Sequence, residues 1–99
     1  SIKALLGDVS PEAVLLVKPQ FEVGRERVGK GGVVRDVSAH VSALESVIHA
    51  AKKFDLIPKG LLPSPITGPA GNHEYLLWLG VGELVEIPNI QELVLKTLS

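Results

Sequence analysis

Lys18 stands at the carboxyl end of an unbroken apolar run, Ala13-Val14-Leu15-Leu16-Val17, and is followed by Pro19. Such a run with β-branched members reads as a strand buried on both faces, and open α/β sheets place their ligand crevice at the carboxyl ends of such strands. Pro19 biases the residue before it toward extended backbone. A lysine there can stabilise a developing oxyanion as an ammonium or, once neutral, accept a proton. The commoner use of the position is a snorkelling lysine whose stem covers apolar surface. Glu74 opens a second apolar run behind the loop Gly68-Pro69-Ala70-Gly71-Asn72. Across a sheet it would meet Lys18, either as an orienting partner or as half of a strand-end salt bridge, worth about 0 to 1 kcal/mol when exposed.

A second stretch is basic. Arg25, Arg27, Lys30 and Arg35 are set against Glu26 alone within residues 25–35, an excess that suits phosphate-backbone contact and serves equally well on a solvated loop. Residues Gly24 to Gly31 carry the glycine spacing and the lysine of a P-loop, but Gly31 stands where a magnesium-binding hydroxyl is needed. An apolar strand ending in aspartate, which would supply the second metal ligand, does not follow, so nucleotide hydrolysis is disfavoured. His40 and His49 lie nine residues apart on one expected helix and so face opposite sides, which assembles no metal site. His73 adjoins Glu74, and neighbouring strand residues point to opposite faces. With no cysteine and no Gly-x-Ser-x-Gly elbow, thiol chemistry and the serine-hydrolase arrangement are both out.

The elements that must position these groups follow from punctuation and period. Ile2 to Leu6 reads as the tail of a helix closed by Gly7-Asp8, and Ala13–Val17 as the first strand. Glu22 to Asp36, too polar and glycine-rich to pack, reads as loop. Val37, Val41, Leu44, Ile48 and Ala51 step by three and four, giving an amphipathic helix to about Lys53 with Asp36 or Ser38 as its cap. Leu56 to Leu62, interrupted by Pro58 and Gly60, suits an edge or irregular strand, and Glu74 to Leu79 a third strand. Asn89 with Glu92 makes a capping-box-like start for a short last helix. A strand, helix, strand unit makes a parallel crossover, whereas about ten residues of loop join the last two strands, which are therefore antiparallel or separated by a reversal. Three strands with two helices are α/β, and they resemble the end of a sheet more than a whole one.

Size and composition bound what such a chain can be. Its 99 residues make one small domain, and 45% hydrophobic residues with a mean hydropathy of +0.30 exclude intrinsic disorder. A net charge of −1 argues against a histone-like binder, so any basic patch is local. No apolar run approaches the roughly 20 residues of a membrane span, and the first residues have no secretory core, which together with the missing cysteines suits the cytoplasm. The start at Ser1 without any methionine fits either a trimmed initiator or a piece of something longer.

Three motifs then carry a resemblance. Leu16-Val17-Lys18-Pro19-Gln20-Phe21-Glu22, Gly29-Lys30-Gly31-Gly32-Val33-Val34-Arg35-Asp36, and Ser64 through Leu77 closely resemble, in order and spacing, the TlyA family. These hemolysin A-like proteins are FtsJ-like ribosomal RNA 2′-O-methyltransferases. The resemblance implies the C-terminal portion of a Rossmann-like class I methyltransferase sheet, with three strands, the last antiparallel and inserted between the other two, and flanking helices. It implies residues 1–80 as the C-terminal half of the methyltransferase domain and 81–99 as a tail with a short helix. The family's Lys-Asp-Lys-Glu tetrad would have Lys18 as its second lysine and Glu74 as its glutamate, with the first lysine, the aspartate and the glycine-rich S-adenosylmethionine loop outside this chain.

The resemblance also sets functional expectations. S-adenosylmethionine is the cofactor, its pocket mostly outside these residues; ribosomal RNA is the substrate, touched by Arg25, Arg27, Lys30 and Arg35; and the 99 residues alone are inactive. An ordinary lysine, with a reference pKa of about 10.4, is almost wholly protonated near neutrality. Lys18 therefore either stays charged and stabilises an alkoxide or is made neutral by a neighbouring cation and acts as a base. The missing strand neighbour would leave the first strand an open apolar edge, which predicts a homodimer through that edge. The other reading is a non-catalytic RNA-binding or self-associating module with a basic loop and a plain Lys18–Glu74 salt bridge.

Overall fold

Alternation along the three apolar runs decides which side of the sheet is covered. The computed structural model describes residues 12–24 and 28–99. Its elements are β1 (Glu12–Val17), α1 (Pro19–Glu22), α2 (Val37–Lys52), β2 (Ile57–Pro63), β3 (Tyr75–Gly80) and α3 (Ile90–Leu98). The sheet has the order β1-β3-β2, with β3 antiparallel to both neighbours. Val17, Tyr75 and Pro63 share the row at one end, and Glu12, Gly80 and Ile57 the row at the other. The last two strands pair directly and antiparallel, one of the two arrangements that the short connection allows. The irregularity expected of β2 is a register shift between Pro58 and Gly60, where proline removes a ladder donor.

Val17, Leu61, Tyr75, Leu77 and Leu79 point to one face of the sheet and pack with Leu44, Ile48 and Ala51 of α2 and Val94 of α3. The α2 stripe is the one that the sequence spacing requires, and the Asp36 carboxylate caps it by accepting from the Ser38 amide. Asn89 caps α3 in the same way, accepting from the Glu92 amide. Through Val94, which is fully buried, the last helix joins the core.

Two expectations are corrected. β1 is not buried on both faces: among the described residues it pairs only with β3, and Val14 is 66% exposed and Leu16 45% exposed. The glycine-rich segment before α2 does pack, because Val34 is buried beneath its own backbone hydrogen bonds. The expected N-terminal helix tail, Ile2 to Leu6, lies outside the described residues.

Candidate functional site

Lys18 leaves β1 in extended geometry, φ −113° and ψ 97°, and caps α1 with Pro19 as its first helical residue. Proline suits that position because its φ is already helical and the amide it lacks has no intrahelical partner there. The Lys18 carbonyl accepts from the amides of Phe21 and Glu22, so the four residues form one tight turn. The Lys18 ammonium lies over the Phe21 ring, 5.6 Å from its centroid, a cation–π contact.

The β1–β3 register ends at the Val17–Tyr75 pair, so Lys18 and Glu74 are the next residues beyond that same end of the sheet. The sequence thus brings both residues to one sheet end, yet the carboxylate's partner is a different side chain. Glu74 is 4% exposed, and its Oε2 accepts from Nε2 of Gln20 at 2.7 Å. Its backbone carbonyl accepts from the Ser64 amide, which ties the start of β3 to the end of β2. Gly68 packs flat against the carboxylate: a Cβ there would overlap Oε2 and stand 2.5 Å from Cδ. Gln20 and Gly68 are the site residues that spacing arguments missed, although both belong to the motifs that carried the resemblance.

Two turns of one form are joined near this end of the fold, and the second begins at Gly68. Gly29–Gly32 and Gly68–Gly71 each close with an amide-to-carbonyl hydrogen bond of 3.1 Å, and their third residues, Gly31 and Ala70, have φ of 77° and 59°. That is the form of a type II turn, with Pro69 favoured at its second position. Asn72 is buried between them: its Oδ1 accepts from the Val34 amide and its Nδ2 donates to the Gly32 carbonyl, both at 2.9 Å. Below them His40 Nε2 lies 2.8 Å from the Val34 carbonyl and Nδ1 lies 2.9 Å from the Tyr75 hydroxyl. A carbonyl only accepts, so Nε2 carries the proton and the phenol donates to Nδ1. Burial lowers the His40 pKa below its usual value, the Val34 carbonyl opposing and His73 reinforcing the shift. Burial likewise pushes the Tyr75 phenol up to about 12. His40 is thus a structural histidine and His49 an exposed one, as their opposite helix faces require.

Arg35 and His73 line a cleft of about 420 Å³ with Val33, Val34, Ala70, Gly71 and Leu98. Of the expected phosphate contacts, Arg35 borders this cleft, Lys30 contributes its backbone to the first turn, and Arg25 and Arg27 lie outside the described residues. Among the described residues the lining of this cleft has an arginine and no carboxylate, which suits an anionic group such as a phosphate. Among the described residues, no cluster of three or more His, Asp or Glu side chains could hold a metal ion, and no helix is long and apolar enough to cross a membrane.

Comparison with known proteins matches residues 3–81 to the FtsJ-like methyltransferase family. The chain is 45% identical over 80 residues to the 16S/23S rRNA (cytidine-2'-O)-methyltransferase TlyA of Mycobacterium tuberculosis, covering 79% of this chain and 30% of that protein. It is 40% identical over 63 residues to Hemolysin A of Brachyspira hyodysenteriae, covering 64% and 26%. A crystal structure of a hemolysin-like protein from Lactococcus lactis superposes with a TM-score of 0.77 at 40% identity, over 90% of this chain and 44% of that one. The chain therefore spans under a third of these curated relatives. By sequence and by fold it belongs to the FtsJ-like methyltransferase family, among the relatives that carry the TlyA and hemolysin A names.

Proposed function

We propose that this chain supplies the acceptor side of an S-adenosylmethionine-dependent ribosomal RNA 2′-O-methyltransferase, with Lys18 and Glu74 as catalytic residues. The observation that supports the reading is that these two residues stand at the same end of neighbouring strands in an FtsJ-like chain, with the carboxylate buried. Residues 1–80 are the C-terminal half of a Rossmann-like methyltransferase domain, with β3 the inserted antiparallel strand, and 81–99 are its tail. The cofactor, which supplies the methyl group, binds mostly outside this chain, and the cytoplasm is the place of action. Lys18 and Glu74 work at the ribose oxygen. A 2′-hydroxyl is a poor nucleophile until its proton is held elsewhere, and a positioned ammonium stabilises the alkoxide character that develops during attack. Arg25, Arg27, Lys30 and Arg35 contact phosphates and bring the ribose to that end of the sheet.

The test is methylation of ribosomal RNA by two proteins. One is the 99-residue chain, and the other a chimaera in which this chain replaces its counterpart in the Mycobacterium tuberculosis relative. The chimaera turns over and loses turnover on Lys18→Ala or Glu74→Ala, while the isolated chain neither turns over nor binds S-adenosylmethionine in calorimetric titration. Turnover by the isolated chain, or full activity of both variants, would overturn the reading.

A second reading is favoured by one observation. β1 has no strand on its outer side among the described residues, and Val14 and Leu16 are exposed along it. An open apolar edge pairs readily with another strand, so the isolated chain would act as a self-associating, RNA-binding module, a homodimer joined through β1. Sedimentation showing a sharp monomer at all concentrations removes this alternative.

A further inference from the structure

Resting on the assignment of Glu74 as a catalytic group, we infer that Gln20 is its positioning residue, fixing the plane of the carboxylate that faces the acceptor oxygen. Three features of the site converge on this side chain. Gln20 Nε2 donates to Glu74 Oε2 at 2.7 Å across 54 residues of sequence. The orientation of the amide is not arbitrary, because a carboxylate oxygen only accepts and must therefore face the NH₂ group. Gly68 closes another side of the carboxylate, leaving no room for a Cβ between loop and carboxyl group. The carboxylate is thus held between a donor and a wall.

Gln20 also shares its rigid support with Lys18. Both lie on the turn begun by Pro19, in which the Lys18 carbonyl accepts two amides. The ammonium and the amide are two residues apart on one short unit, so a single backbone geometry sets the lysine and the orientation of the glutamate. The other half of the amide gives the strongest argument. Gln20 Oε1 is buried and has no hydrogen-bond partner among the described residues. A buried acceptor left unsatisfied is a standing cost to folding, so the glutamine is a poor choice for stability and a good one for holding a carboxylate by a neutral donor. A lysine or arginine would hold Glu74 more strongly but would add a second permanent charge beside Lys18.

The chimaera with the Mycobacterium tuberculosis relative tests this. Gln20→Met keeps the volume and removes the donor, and kcat falls on the order of 10- to 100-fold, the scale of a misplaced catalytic group, while KM for RNA stays within about twofold. Gln20→Glu sets two carboxylates against each other. They share a proton as pH falls, which restores an O–H donor, so the turnover of this variant relative to the parent rises from about pH 8 to about pH 6. A residue that merely supports the fold would lose kcat and stability together and show no recovery at low pH. Unchanged kcat in Gln20→Met, or a Gln20→Glu profile parallel to the parent's, overturns the inference. If Lys18→Ala and Glu74→Ala also keep their turnover, the catalytic reading itself has failed; if they lose it, only the role of Gln20 has. Should either variant fail to fold or the chimaera be silent, the unsubstituted 99-residue chain decides by NMR. Slow exchange of the Gln20 side-chain amide protons, lost in Glu74→Ala, supports the inference, and fast exchange in the unsubstituted chain overturns it.

Discussion

A carboxylate buried at a strand end needs a donor facing it and room around it, and at Glu74 these are provided by Gln20 and Gly68. Gly68→Ala would force its Cβ into that carboxylate. The expected loss is about 1 to 3 kcal/mol, as for other overpacked sites, measured by urea unfolding. Because the clash needs both groups, the added Glu74→Ala change recovers part of it, a non-additivity that independent sites would not show. His40 supplies a second prediction at this scale. It is neutral in the fold with a lowered pKa, so the unfolded chain binds the extra proton. Its stabilisation is complete above the ordinary value of about 6.5 and is lost as pH falls below it. Unfolding midpoints at pH 5 and 7.5 should differ in the parent, and His40→Gln, which keeps an acceptor and a donor without the titration, should reduce the difference. The Tyr75 phenol acts in the opposite direction: its contribution is whole below its ordinary pKa of 10 and disappears as pH rises toward about 12.

Among the elements, the two turns joined by Asn72 do what no helix or strand does here: they fix the loops around the candidate site. Ala70 occupies a left-handed position that favours glycine, at φ 59°. Ala70→Gly relieves strain of about 1 to 2 kcal/mol but adds unfolded-state freedom of about 0.4 to 1 kcal/mol. A net gain of about 0.5 kcal/mol is expected in urea unfolding. Helix α2 was legible from its period and the strands from apolar runs bounded by proline and glycine, which also mark Lys18 and Glu74 as strand-end residues. An unbroken run does not tell which face is covered, and one face of β1 lies open. Packing of Val34 was not legible. It depends on Asn72 and His40 reaching back over 38 and 6 residues, and composition carries no record of such contacts. Gln20 was hidden for the same reason, since only the antiparallel register of β1 with β3 brings it to Glu74. The short helix α1 escaped notice because four residues hold no period.

At the scale of the whole molecule, one face of the sheet carries the core and the other carries apolar side chains with little over them. Leu62 at 51% exposure and Trp78 at 44% continue the surface begun by Val14 and Leu16. A contiguous apolar face of this kind promotes association, so Trp78→Arg combined with Leu62→Lys should move the isolated chain toward monomer in sedimentation velocity, leaving its far-ultraviolet circular dichroism unchanged. The break in β2 register sets how far association through a strand edge proceeds. Pro58 and Pro63 withhold amide donors there, and the shift at Gly60 disrupts the regular row that a further strand would need. A copy that pairs through β1 therefore presents only this blunted margin on its far side. Under the proposed pairing through β1, growth by strand addition is expected to stop at two copies, where an unbroken β2 would favour continued addition.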